Sequence, residues 1–217
     1  MEATSATRLS RDSTAETWAA TMDYIVGRKR AEEALGFLAA CSRELADTLA
    51  YETAMSRVAS YAVPFLAGWC TFDLLESGDG PTQTIAEQRI SQLSSEQTKR
   101  MREFLHQPDG PTAHGMAWVT STRRPLAYSD AKGLADACNQ ATLAAAQRVG
   151  IRSALVVPLL ARDQLLGFIT LVRTGAHKQQ RFGPADVALV DELARRVASA
   201  VELERLHCTI EELQTSR

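Results

Sequence analysis

Cysteine and histidine are the side chains of this chain best suited to ligating a metal or carrying redox chemistry, and it has four of each. Cys41, Cys70, Cys138 and Cys208 lie far apart, which is neither a disulfide framework nor zinc-ligand spacing. His106, His114, His177 and His207 read as loop or surface residues. His207 lacks the surrounding motif that phosphotransfer needs. No Walker-type phosphate loop, Gly-x-Ser-x-Gly elbow or His-Glu-x-x-His helix occurs. The expectation is a protein that binds or assembles, with no catalysis, no metal and no resident cofactor.

The elements that would position a site are legible in the patterning. At 217 residues, 45% hydrophobic and 23% charged, the chain suits one globular domain with extensions. A net charge of -2 gives no basic footprint for nucleic acid. No apolar run approaches the roughly 20 residues that span a bilayer, and Met1 to Glu16 lacks an apolar signal core. A reducing, cytoplasmic setting without membrane partners is expected. Residues 1–14 should be mobile. A helix is predicted over 15–48, its seam of Ala31, Leu35, Leu38, Ser42, Leu45 and Leu49 spaced by four and three. The seam reads as self-association, with an amphipathic helix covering its own domain as the alternative.

A second helix follows over 52–66, with Pro64 marking a break near its end. Trp69 to Leu75 and Thr84 to Ile90 read as strands about a turn cluster, Ser77-Gly-Asp-Gly-Pro81. A helix over 95–105 is capped by the Ser94/Ser95 pair. Gly115 to Val119 gives one or two helical turns, Pro125 to Tyr128 a short strand, and 134–149 a helix with Gly150 as C-cap. Two branched apolar runs about Ala161-Arg-Asp-Gln164 predict a hairpin. Pro158 within its first strand predicts an edge or a bulge. A last helix opens at Gly183-Pro184, with Asp186 in its first turn, and runs to about Leu213. Its second half carries Leu203, Leu206, Ile210 and Leu213 at coiled-coil spacing.

Several stretches resemble the GAF domain. Leu49-Ala-Tyr-Glu-Thr-Ala-Met55 and Ala62-Val-Pro-Phe-Leu-Ala-Gly-Trp-Cys70 are similar to the entry helix and first strand of GAF modules in bacterial sensors. Gly115-Met-Ala-Trp-Val-Thr-Ser-Thr-Arg-Arg-Pro-Leu126 resembles the middle segment. Phe182-Gly-Pro-Ala-Asp186 through Val201 resembles the closing helix. Gly27-Arg-Lys-Arg-Ala-Glu-Glu-Ala-Leu35 looks like the linker between PAS and GAF modules of histidine kinases, although too few residues precede it for a PAS domain. No output domain is expected after Arg217, so the chain reads as a stand-alone sensor or a piece of a longer signalling protein. The resemblance implies an α+β fold: a GAF-like antiparallel β-sheet with helices on both faces and long N- and C-terminal helices. It places the GAF domain at 49–202, a dimerisation helix at 15–48 and a coiled-coil extension at 203–217.

The resemblance further implies a ligand pocket between the sheet and residues 115–149. Trp118 and Tyr128 can stack on a planar ligand there, and Asp130 or Asn139 can orient it. Cys138 completes the candidate set. The competing reading makes both aromatics core, Asp130 a cap and Cys138 a buried structural thiol. Phe182 and Asp186 match part of the cyclic-nucleotide signature, but Val187 stands where that signature has Glu and no Asn-Lys pair precedes Phe182. Helix entry explains both residues better. A bilin would attach at Cys138, which Asn139 follows instead of His. Haem would need His114, and methionine-sulfoxide chemistry would need a second cysteine beside Cys138. The implied function is a sensory module that binds an unidentified small molecule, forms a homodimer through its terminal helices and serves a histidine kinase or other signalling partner. The alternatives are a ligand-free dimerisation module and a bilin-, haem- or redox-active GAF protein.

Overall fold

A computed structural model describes residues 3–47, 50–76, 82–105, 111–130, 132–133, 140–175, 177 and 179–215. The chain divides into two units, Met1–Ala39 and Ala40–Arg217. The first is helical throughout its described part. It belongs to α1 (Ala3–Asp47), which begins before the Ala15 expected from the periodicity. Arg28–Glu32 and Lys29–Glu33 pair along its surface at i, i+4 spacing. Of the predicted seam, Leu35 is exposed and Leu38 is buried. No described helix is long and apolar enough to cross a membrane.

The second unit is an antiparallel sheet between two helical layers. Its strands are β1 (Trp69–Leu75), β2 (Thr82–Arg89), β3 (Leu126–Tyr128), β4 (Ile151–Ala161) and β5 (Gln164–Thr174), in spatial order β2-β1-β5-β4-β3. The helices are α2 (Tyr51–Phe65), α3 (Ser95–Leu105), α4 (Pro111–Thr122), α5 (Gln140–Val149) and α6 (Pro184–Thr215). On one face α2 packs on β1 and β2, and α6 on β4 and β5. On the other face α4 and α5 lie on β4, while α3 packs against α4 and α5.

Local chemistry accounts for the element ends. Val63 leaves helical space (φ -108, ψ 120), as residues before a proline are driven to do. A capping box opens α3: Ser94 Oγ accepts from the Gln97 N–H at 3.2 Å, and Ser94 N–H donates to Gln97 Oε1 at 2.9 Å. Gly150 closes α5 at φ +78. The predicted hairpin closes through Arg162 and Asp163, at φ 46 and 66, the positive values a tight hairpin turn requires. β4 pairs with β3 only over 154–156, so Pro158 lies beyond that pairing and faces only β5, opposite Phe168. The register irregularity lies just past it, between Leu159 and Leu160.

The start of α2 depends on a distant residue. Its N-cap, Ala50, has no side chain able to accept a hydrogen bond. Glu204 on α6 supplies the carboxylate instead, accepting from the Tyr51 N–H at 2.7 Å. Beside it Glu202 pairs with Arg162 at 3.4 Å, and Arg205 donates to the Leu75 carbonyl at 2.7 Å. Three neighbouring residues of α6 thus grip a hairpin turn, a helix start and a strand end. Glu204→Ala is expected to lower unfolding stability by about 1 kcal/mol, the usual worth of an N-cap. Ala50→Asp in that background restores the cap locally, and urea titrations followed by circular dichroism check both.

Candidate functional site

The face of the sheet under α3, α4 and α5 is the one to which the resemblance assigned a ligand pocket. Strand alternation puts Trp69, Thr71, Asp73 and Leu75 of β1 on that face. Register adds the β5 residues Phe168, Thr170 and Val172, since Thr71 pairs with Thr170 and Trp69 with Val172. Val156 of β4 joins them opposite Thr170. An apolar cluster of Leu75, Val119, Val156, Leu165 and Phe168 occupies one side, with Met116, Leu126 and Leu160 packed against it. A Cβ on Gly115 would lie 3.0 Å from Val156 Cγ2 and 3.6 Å from the Tyr128 hydroxyl, so glycine lets α4 settle onto the sheet. Across the face, Arg102 of α3 forks onto Glu87 of β2 at 2.5 and 3.2 Å, ending in a guanidinium whose pKa Glu87 raises.

Between those two anchorages the floor is polar and buried. Asp73 is 5% exposed, and its carboxylate accepts from Thr71 Oγ1 at 2.9 Å and from Thr84 Oγ1 at 2.5 Å. Trp69 Nε1 and Thr170 Oγ1 are buried on the same face without a hydrogen-bond partner. Such groups cost on the order of 1–3 kcal/mol each when left unsatisfied. The sequence reading missed this floor. Its signal was the alternation Trp69-x-Thr71-x-Asp73, which on its own reads as a solvated strand face.

The candidate residues of the sequence reading occupy different surroundings. Trp118 is 37% exposed on α4. Tyr128 is buried, its ring end against Gly115. Asp130 is half-buried, accepts from the Gly133 N–H at 2.8 Å and lies 3.8 Å from Arg181; it caps a turn and does not share Tyr128's burial. Cys138 and Asn139 fall outside the described residues.

The opposite face carries the helix entry. Arg173 is fully buried: Nε donates to the Leu66 carbonyl at 2.8 Å, and Nη1 donates to the Arg181 carbonyl and to Asp186 Oδ2, the latter at 3.1 Å. Its guanidinium stacks 4.0 Å over the Phe182 ring. Asp186 Oδ2 also accepts from the Gly183 N–H at 2.9 Å. Phe182 and Asp186 therefore serve helix entry. An open apolar groove of about 440 Å³ lies beside them, lined by Pro125, Ala127, Phe182, Pro184 and Val187.

A family model for the GAF domain matches residues 37–201. The chain belongs to the GAF domain family. No curated protein matches it in sequence. Among solved structures it is similar to the GAF domain of a phosphoenolpyruvate-protein phosphotransferase from Coxiella burnetii. That pair has 20% identity and a TM-score of 0.57, and covers 81% of this chain and 96% of that one. The GAF domain of the corresponding Acinetobacter protein gives 13% identity and a TM-score of 0.57, covering 82% and 98%. Free methionine-R-sulfoxide reductase from Neisseria meningitidis, solved in complex with its substrate, gives 19% identity and a TM-score of 0.54, covering 81% and 93%. Identities this low carry the fold alone.

The described thiols of this GAF domain are poorly suited to redox chemistry. Cys41 and Cys70 are free and buried. Burial pushes the Cys41 thiol up to about 12 and raises that of Cys70 further, with Asp73 adding to the second. Both are thus protonated at neutral pH and weak nucleophiles. Iodoacetamide at pH 8 is expected to leave the Cys41 and Cys70 peptides unmodified in the native protein and to alkylate both in urea, as peptide mass mapping would show. On the other face, Arg173→Met strands the Asp186 carboxylate and is expected to cost about 3 kcal/mol or more, measured by urea unfolding.

Proposed function

We propose that this GAF domain is a sensory or regulatory module of cytoplasmic signal transduction. It binds a small molecule on the covered face of the sheet and passes the change through its terminal helices to a partner such as a histidine kinase. It works by binding and needs no catalytic step. The observation that carries the reading is the far half of α6. Past the grip of Glu202, Glu204 and Arg205, Leu206 and Ile210 continue an exposed apolar stripe begun by Leu203. Their spacing of three and four is that of a helix seam, and a second copy of the chain covers it in a parallel dimer.

Arg205 gives the module a route. It holds the carbonyl of Leu75, whose side chain belongs to the apolar cluster on the ligand face. A ligand that favours one packing of that cluster biases the attachment of α6, provided it binds the two states unequally. The free thiols of Cys41 and Cys70 fit a reducing compartment.

A second reading, a ligand-free dimerisation module, draws on the same face: Val119, Met116 and Leu126 already pack between α4 and the sheet. Two measurements on the full chain separate the readings. Sedimentation equilibrium is expected to give a dimer, and Leu206→Glu with Ile210→Glu a monomer that keeps its circular dichroism spectrum. A thermal-shift screen of a metabolite library is expected to find a stabilising compound. A dimer that no compound stabilises favours the second reading, and a wild-type monomer sinks both.

A further inference from the structure

The covered face of the sheet holds more hydrogen-bonding capacity than its own residues use. We propose that Trp69 and Thr170 hold a small uncharged ligand, of amide or heteroaromatic type, against the floor made by Thr71 and Asp73. The inference rests on the ligand-binding reading above and supplies the chemical class of its ligand.

Placement comes first. Trp69, Thr71 and Asp73 follow one another on one side of β1, and Thr170 stands directly across from Thr71 on β5. All four are buried, with Trp69 fully so and Thr170 2% exposed. Thr71 and Thr84 donate their hydroxyl protons to Asp73. Trp69 Nε1 and Thr170 Oγ1 have no partner. Arg173 Nη2 on the opposite face and Thr174 Oγ1 at the end of β5 also lack partners, but only Trp69 and Thr170 flank the Thr71–Asp73 floor. Buried polar groups are nearly always satisfied, so this pair calls for a third party. The floor lies between the point where Arg102 ties α3 to β2 and the point where Gly115 lets α4 down onto β4.

The chemistry of the floor then selects the ligand. An indole N–H can only donate, so the ligand must present an acceptor to Trp69. Thr170 takes either role and suits a second acceptor or an N–H. Asp73 puts a carboxylate at the floor, already held by two hydroxyls. A phosphate or carboxylate brought beside it in a buried place would meet like-charge repulsion. The neighbouring cluster of Leu75, Val156 and Phe168 offers an apolar wall for a ring. Amides and neutral heteroaromatic rings combine an acceptor, an N–H and an apolar body without negative charge.

Thr170→Val separates this role from a structural one, because the two side chains have nearly the same shape. Removing an unsatisfied hydroxyl should raise the melting temperature of the ligand-free protein. Removing a ligand contact should weaken binding. The experiment is isothermal titration of the full chain with nicotinamide and adenine as neutral probes, and with inorganic phosphate and cyclic AMP as anionic ones, beside thermal melts. A neutral probe is expected to bind, Thr170→Val to melt higher than the native protein yet bind that probe at least tenfold more weakly, and Trp69→Phe to weaken it similarly. A neutral probe held equally well by both variants overturns the proposal by placing the site elsewhere. Binding of the anionic probes alone overturns the ligand class and leaves the sensory reading standing. Binding of none of the four also overturns this proposal, while the sensory reading is then decided by the metabolite library and the dimer measurement.

Discussion

A single guanidinium organises the helical side of this GAF domain. Arg173 lies at the end of the central strand β5, fully enclosed, and reaches the C-cap of α2, the loop before α6 and the first turn of α6 at once. Arginine suits the position because its planar fork directs several donors in fixed directions, and its flat face can rest on Phe182. A buried cation is tolerated only when paired and hydrogen-bonded. The surrounding carbonyls and Asp186 meet that condition, and they are thereby fixed in place. The angle at which α6 leaves the sheet follows from this cluster, and so does everything α6 later touches.

The face under α3, α4 and α5 carries its polar groups differently. On the Arg173 side Nε and Nη1 find acceptors while Nη2 has none, and on the other side Trp69 Nε1 and Thr170 Oγ1 lack partners. Proteins retain unsatisfied or strained groups where function, not stability, has set the residue. Both faces are built on the same strands, β1 and β5, so alternation alone separates the Arg173 surface from the proposed ligand-binding one.

Much of the fold was legible because its signals are local. β1 and α3 fall at their expected bounds, since an apolar strand between a glycine and a turn cluster, and a helix opened by Ser94 with Gln97 three residues on, need no distant information. Gly150, the Arg162-Asp163 turn and the Gly183-Pro184 start held for the same reason. α4 proved longer than the one or two turns expected, at Pro111–Thr122. Gly115, expected at the start of those turns, lies within the helix, and the space it leaves is what brings the helix against Val156. Long-range relations were not legible. No pattern near Ala50 could show that Glu204 caps α2, and nothing in the strand itself could show that Thr71 and Asp73 are buried, because the helices that cover them lie elsewhere in the chain. Trp118 attracted interest as an aromatic in a covering segment, and its helix turns it outward.

Pro158 has a further bearing on how copies of the protein can meet. Beyond its three-residue pairing with β3, β4 continues as an outer strand of the sheet. A bare strand there would offer backbone donors and acceptors to any passing chain, the route to polymers and fibrils. Proline brings no N–H donor to this stretch, and the register irregularity after Leu159, in the pairing with β5, bends the strand beside it. At the opposite edge, β2 is outermost and mostly polar, running from Thr82 to Arg89. Among the described residues, neither border favours growth by strand addition.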